Sequence, residues 1–303
     1  MVEAEKEKKV DNNTSEGCKN AEDNLAEQSL SFDWHVRRRV AWNPCTGEEN
    51  LRQLAGDGVQ WVREAVAGNK RTPGDVLVRL AGDGDGFVRA AVALNVRTPA
   101  DVLDDLAADE AVDYDYTLNN NRYLVKEAVA KNPNITQEAL RALSTDGDEH
   151  VRASAASNPG IAPELLARLS KDVSWLVRDR IAKNDATPES MLAHLSADRI
   201  MDVRISVSIN ARTPKMALAA LALDKSWEVS EAVGRNPHLD KKALSELSTH
   251  WSWKVREAVA QNSSTPEEIL EHLAVDPDQS VNKAASERLR LFKSLAKTRL
   301  QKL

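Results

Sequence analysis

Trp61-Val-Arg-Glu-Ala-Val-Ala-Gly-Asn69, followed by Thr72-Pro73, the pair Leu77/Leu80 and Asp83, is one turn of a pattern that runs along nearly the whole chain. Its Val returns as Val36, Val62, Val88, Val125, Val151, Val177, Val203, Val229, Val255 and Val281. Every step is 26 residues except Val88 to Val125, which is 37, one period plus 11. Spacing this strict means a stack of like supersecondary units, each resting on its neighbours. It overrides the expectation of about two domains that a length of 303 residues would otherwise carry.

Inside a unit the first segment reads as a helix. Val62 and Val66 are four apart, as are Val125 and Val129, Val177 and Ile181, and Val255 and Val259, which makes one helical stripe. Ala65, Ala67, Ala91, Ala93, Ala128 and Ala130 fill the turns between, so neighbouring backbones can approach. Seven residues after each Val stands an Asn: Asn43, Asn69, Asn95, Asn132, Asn158, Asn184, Asn210, Asn236 and Asn262. Asn tolerates the left-handed conformation that ends helices, and its amide can satisfy loose backbone groups.

A link often closing in Thr-Pro follows, at Thr72, Thr98, Thr187, Thr213 and Thr265; there Thr suits an N-cap and Pro the first helical position. Thr265 with Glu268 matches a capping box. Three units carry Asn-Pro instead, at Pro133, Pro159 and Pro237. Leu-x-x-Leu then marks a second, inward-facing helix of two to three turns, from Leu51/Leu54 to Leu270/Leu273. An Asp after it (Asp57, Asp83, Asp109, Asp146, Asp172, Asp198, Asp224, Asp276) can cap the next helix, and His250 alone breaks that series.

The consensus Val-Arg-x-Ala-Val-Ala-x-Asn-x-x-Thr-Pro-x-x-x-Leu-x-x-Leu-Ala-x-Asp resembles the leucine-rich repeat variant family over about residues 33–287. The resemblance implies an all-α fold: a right-handed superhelical solenoid of about ten two-helix repeats, nine full and a tenth half-unit from Val281. It also implies that the second helix can tighten to a 3₁₀ form. Some members carry an iron–sulfur cluster on a cysteine-rich N-terminal segment. Four thiolates are the usual requirement, and Cys18 and Cys45 cannot supply them, so no cluster and no other cofactor is carried over.

Segment 1–30 reads as a disordered acidic tail. Through Gln28 it has eight acids against four lysines, a net charge of −4, which leaves the rest of the chain at −6 − (−4) = −2. A near-neutral body is not the basic surface expected of a phosphate-binding domain. Segment 288–303 is basic and amphipathic, with Arg288, Arg290, Lys293, Lys297, Arg299 and Lys302 and no acid, and reads as a capping helix. Two cysteines imply no disulfide framework. That, with a polar N-terminus, points to the cytoplasm, and no apolar run approaches the roughly 18 residues of a membrane span.

Three features could carry function. The Arg after each register Val (Arg37, Arg63, Arg89, Lys126, Arg152, Arg178, Arg204, Arg256) either lines a binding surface or pairs with the Asp row; Ser230 and Asn282 interrupt it. Trp34, Tyr123, Trp175, Trp227 and Trp253 stand two residues before the register Val and share a helical face with that Arg. They are either a stacking surface for a partner or wedges between helices.

The third is the 11-residue excess around 109–121, with Asp113, Tyr114, Asp115 and Tyr116, which reads as a partner contact or a neutral insertion. It lacks the ligand spacing and central Gly of a calcium loop. Gly82-Asp-Gly-Asp-Gly86 is turn chemistry, and the six His show no close metal-ligand spacing. The expectation is a non-enzymatic scaffold that binds a protein or peptide through Trp34, Arg37, Tyr123, Lys126, Trp175, Arg178, Trp227, Trp253, Arg256 and the insertion. Nucleic-acid binding through a Trp/Arg face, by analogy with helical-repeat DNA glycosylases, is the alternative, disfavoured by the acidic pI.

Overall fold

The computed structural model describes residues 18, 24–115 and 120–300, the side chains of 113–121 and 293–300 excepted. They fall into two compact units, Met1–Asn158 and Pro159–Leu303, each a stack of helix pairs. The first contains α1 (Trp34–Trp42), α2 (Glu48–Leu54), α3 (Gln60–Gly68), α4 (Gly74–Leu80), α5 (Gly86–Leu94) and α6 (Ala100–Leu106). A hairpin of β1 (Asp113–Asp115) and β2 (Asn120–Arg122) follows, then α7 (Leu124–Lys131), α8 (Gln137–Leu143) and α9 (Glu149–Ala156). The second contains α10 (Pro163–Leu169), α11 (Trp175–Lys183), α12 (Glu189–Leu195), α13 (Met201–Ile209) and α14 (Lys215–Leu221). It continues with α15 (Trp227–Arg235), α16 (Lys241–Leu247), α17 (Trp253–Gln261), α18 (Glu267–Leu273) and α19 (Gln279–Leu300).

Odd-numbered helices begin a repeat and pack directly on one another within each unit; even-numbered ones rest mainly on their own partners. The fold is thus an all-α solenoid with one hairpin inserted. The register valines explain the layering: Val62, Val66, Val88, Val92, Val229 and Val233 are fully buried, as are Leu77, Leu103, Leu218 and Leu270 facing them. A small residue (Ala, Gly or Ser) at the fifth position after the Val lets successive odd helices approach. A Cβ on Gly234 would stand 3.2 Å from that of Ala258. The even helices are seven-residue α-helices rather than 3₁₀, with i→i−3 bonds only at their ends, such as Gly56 N to Gln53 O at 3.0 Å.

Three local expectations are corrected. The Asn residues are extended, not left-handed: Asn95 has φ −72° and ψ 123°. Beyond the first odd helix of each unit, the amide reaches back one repeat instead. Asn95 Nδ2 donates to Ala67 O at 2.7 Å and Asn69 O at 3.0 Å, while its Oδ1 accepts from Arg97 N at 2.9 Å. Asn69, Asn158, Asn236 and Asn262 do the same. Asn is favoured because one planar amide holds both donors and an acceptor.

The Thr of Thr-Pro caps nothing ahead of it. Thr72 Oγ donates backward to Val66 O at 2.5 Å, Thr98 to Val92 O at 2.6 Å, and Thr265 to Val259 O at 2.6 Å, so the capping box at Thr265 does not form. Pro occupies the N-cap itself. In the Asn-Pro units a buried Ile135, Ile161 or Leu239 takes the Thr position. Lastly, the Asp after each second helix does not cap the next one. It accepts from the backbone N–H two residues on, as Asp224 does from Ser226 at 2.9 Å.

The ends depart from expectation too. Residues 24–29 are helical, with Leu25 and Ser29 buried, rather than part of a disordered tail; the residues before them, Cys18 apart, lie outside those described. Cys18 is disulfide-bonded to Cys45, 27 residues on, correcting the view that two cysteines imply no cross-link. Two cysteines allow a single pairing, but their spacing does not say whether it forms; only the fold brings them together. Structural disulfides belong mostly to oxidising compartments, so the cysteine argument for the cytoplasm falls away. At the other end, α19 runs on from the tenth first-helix and packs on α17 and α18. There Arg288 takes the Asn position and donates to Ser263 O at 3.1 Å.

Candidate functional site

The Arg row follows from the 26-residue register. In an intact repeat the guanidinium forks onto the Asp 20 residues ahead and also reaches back to a carbonyl six residues behind. Arg204 shows the arrangement: Nε to Asp224 Oδ2 at 2.6 Å, Nη2 to Asp224 Oδ1 at 3.0 Å, and Nη1 to Asp198 O at 2.8 Å. Arg37, Arg63, Arg89, Arg178 and Arg256 make the same fork to Asp57, Asp83, Asp109, Asp198 and Asp276. Lys126, on the far side of the hairpin, splits its ammonium between Glu110 at 2.8 Å and Asp146 at 3.2 Å. Burial pushes the carboxyls of Asp83 and Asp224 up, but the Arg and backbone donors outweigh it and hold them below the ordinary range. These cations therefore strut one inter-repeat turn to the next.

The rung at Ser230 is different. The residue 20 ahead of it is His250, so both members of the pair are replaced together. Sequence reading noted each break but not their partnership; the constant 20-residue offset was the available signal. His250 Nδ1 takes the Asp role toward the turn, accepting from Ser252 N at 3.1 Å. The Ser230 hydroxyl, wholly buried, turns instead to Ala222 O at 3.4 Å.

The aromatic residues stand on the exposed side of the odd helices, Trp34, Trp175, Trp227 and Trp253 as first residues and Tyr123 just ahead of α7. Trp175 and Trp253 are 44% and 41% exposed, and Trp34 and Trp227 are half-buried. Trp34 stacks on His35 at 3.8 Å, and Trp61 tilts against Phe87 at 6.3 Å. The cation that meets Trp227 and Trp253 is Lys254, whose Nζ stands 4.7 Å and 5.9 Å from their rings. In the strut row, Lys126 Nζ stands 5.2 Å from the Tyr123 ring.

Also on this side runs an acid two residues after the register Val, paired four residues on: Asp179 with Lys183 and Glu231 with Arg235, both at 2.9 Å. Glu64 has no such base, because Gly68 stands there under the Trp42 ring, 3.0 Å from where a Cβ would be. Among the described residues, Glu64 Oε2 and Arg38 Nε are buried without a hydrogen bond. Burial raises the Glu64 carboxyl, with Arg38 opposing it.

The insertion forms the hairpin, Asp113 opposite Arg122 and Asp115 opposite Asn120, and Arg122 is tied to Glu127. The side chains of Asp113, Tyr114 and Asp115 lie outside those described, and Tyr116 lies outside the described residues altogether. A cleft of about 440 Å³ opens between α6 and α8, with Ala107, Ala139 and Leu143 on its floor and Asp104, Glu138 and Asp146 at its rim. Among the described residues no group of three or more His, Cys, Asp or Glu is placed to hold a metal ion, and no helix is long and apolar enough to cross a membrane.

The leucine-rich repeat variant family model matches residues 61–85 and 253–278. Among solved structures, the chain is similar to a leucine-rich repeat variant described as having a novel repetitive protein structural motif. The two are 25% identical, with a TM-score of 0.54 over 78% of this chain and 88% of that one. It also aligns with YibA of E. coli at 17% identity and a TM-score of 0.41, covering 86% of this chain and 97% of that one. An engineered protein aligns at 17% identity and a TM-score of 0.36, covering 89% and 98%. These last two scores are too low to bear on the assignment. No curated protein matches the chain.

Proposed function

We propose that the chain, whose repeats resemble leucine-rich repeat variant units, is a non-enzymatic scaffold that binds a protein or peptide along the exposed side of its odd-numbered helices. The observation that carries this reading is a division of labour among the repeating positions. Arg, Asp, Asn and Thr spend their hydrogen bonds inside the stack, whereas the Trp row is left partly exposed on it. Half-exposed Trp is the residue type most often found at energetic centres of protein interfaces. Trp34, Trp175, Trp227 and Trp253, with Tyr123 beside them in register, are the contact residues of this reading. Arg37, Lys126, Arg178 and Arg256 support the turns behind them.

A nucleic-acid partner would need free cations along the same row, and the struts are already committed to carboxylates. The test is affinity capture with wild-type chain, with a Trp175→Ala/Trp227→Ala/Trp253→Ala variant, and with Met216→Ala as a control exposed on an even helix. A partner held by the wild type and the control but lost by the triple variant supports the reading. A partner held equally by all three sinks it.

A further inference from the structure

Three departures from the repeat meet in the cleft of about 440 Å³ between α6 and α8, and Asp104, Lys126 and Ala142 all line it. Lys126 replaces the strut Arg, and its ammonium makes one contact to Asp146, at 3.2 Å. Arg204, by contrast, makes two to Asp224, at 2.6 Å and 3.0 Å. Ala142 stands where other repeats carry Arg79 and Arg168, and Asp104 where others carry Arg52 and Arg141. Two long cationic side chains are thus missing from the walls. Thr136 Oγ donates to Asp104 Oδ1 at 2.7 Å, which ties that carboxylate to the start of α8.

The charge in the cleft is one-sided. Asp104, Glu138 and Asp146 stand above the apolar floor, and Lys126 is the one base among the described lining residues. Burial pushes the Lys126 ammonium down, but Glu110 and Asp146 outweigh it, so the group stays charged and is held between those two acids. An adjoining hollow of about 500 Å³ shares Lys126 and Asp146 with the cleft and adds Glu110 and Asp148. Five carboxylates therefore face a single ammonium across one continuous opening. An apolar floor under an acidic rim suits a ligand with an aliphatic stem and a cationic head, and it repels phosphate.

We propose that this cleft is a second binding site, and that it takes an arginine side chain presented by a peptide segment of a partner. The methylenes lie on the Ala107, Ala139 and Leu143 floor while the guanidinium forks onto the rim carboxylates. The chain itself shows this chemistry, because Asp57, Asp83, Asp198 and Asp224 each receive such a fork. Asp146, held only by a lysine, has a side chain 17% exposed, against 13% or less for the carboxylates an Arg forks onto. A lysine would bring the charge without the fork. The site lies between even helices and does not rest on the Trp row of the odd ones.

The test is an array of pentapeptides with varied flanks around a central arginine, lysine, citrulline or glutamate, probed with the full chain. The best binders are then titrated by fluorescence anisotropy. Arginine peptides should bind tightest and glutamate peptides not at all. Citrulline, the uncharged isostere, should bind about tenfold or more weakly, the worth of a charge-assisted hydrogen bond. Asp104→Asn/Glu138→Gln keeps both shapes and the Thr136 bond, and should cost arginine peptides about tenfold. Ala142→Arg installs the side chain that other repeats carry and should close the cleft. These two variants act by opposite means, so the test stands if one folds poorly. Trp175→Ala/Trp227→Ala/Trp253→Ala should bind the peptides as wild type does, which separates this site from the Trp row. The proposal is overturned if no arginine peptide binds, if citrulline matches arginine, or if both cleft variants bind like wild type. Free spermidine binding as tightly as the arginine peptides would also overturn it, in favour of a small-polyamine site.

Discussion

Replacing Asn95 by Asp tests whether the inter-repeat amide is the bond that makes this chain a stack. The Asn95 side chain is 6% exposed and makes three hydrogen bonds, two as donor to Ala67 O and Asn69 O and one as acceptor from Arg97 N. At about 0.5–1.5 kcal/mol net for each bond, Asn95→Ala should cost roughly 2–4 kcal/mol. Asp has the same shape and keeps the acceptor, but it sets a carboxylate against two carbonyl oxygens in a buried place. Its cost at pH 7 should be about 3–5 kcal/mol, near that of an unpaired buried charge. Protonation gives the carboxyl one donor, so its pKa is raised in the fold and the loss shrinks as pH falls below that value. Urea unfolding followed by far-UV circular dichroism at pH 7 and pH 5 reads both effects. Hydrogen exchange then shows whether the loss is centred where α3 meets α5. If Asn95→Asp stays within about 0.5 kcal/mol of wild type at pH 7, the donor role is wrong and packing alone aligns the repeats.

Three further outcomes follow from the same geometry. The carboxyls of Asp57, Asp83, Asp198 and Asp224 are held low by their Arg and backbone donors against the opposing effect of burial. Their stabilisation is complete above the unfolded value near 4 and is lost as pH falls through the folded values, so circular dichroism should stay native to about pH 4 and then drop steeply. Glu64 runs the other way: its raised carboxyl makes the fold less stable as pH rises above the unfolded value. Glu64→Gln should raise stability by on the order of 1 kcal/mol at pH 7 and not at pH 4, as thermal melts at the two values would show. Closing a loop between cysteines 27 residues apart contributes roughly 3 kcal/mol by chain entropy, so reductant or Cys45→Ser should lower the melting temperature. Recovery of both cysteines as free thiols from unreduced protein would remove the premise.

The repeat boundaries were readable because Val, Asn and Leu-x-x-Leu keep one period and each owes its place to local helix geometry. What the polar positions do was less readable. Asn95 and Thr72 look like caps in a linear reading, since their types favour helix ends, yet their partners lie one repeat back or one helix back. Bonds across 26–28 residues have no local sequence mark. The Arg–Asp pairing was visible as one of two options, and opposite charges at a constant offset of 20 decided it. The meeting of Lys254 with Trp227 and Trp253 depends on how successive helices stack, which no single-helix periodicity encodes. The Cys18–Cys45 bond depends on tertiary proximity, which two cysteines in a sequence do not mark.

The hairpin between α6 and α7 carries a practical consequence. Asn132 lies 37 residues after Asn95 rather than 26, yet its amide still donates to Ala93 O at 2.7 Å and Asn95 O at 3.0 Å, as in an uninterrupted step. The stack therefore measures geometry, not chain length, and the turn ahead of an odd helix is an open port for extra sequence. Lengthening a flexible turn costs only about 0.6 kcal/mol per doubling. The same port in other repeats should accept a grafted loop, an epitope or a reporter peptide, making the chain a modular carrier whose inserts are spaced by the helix stack.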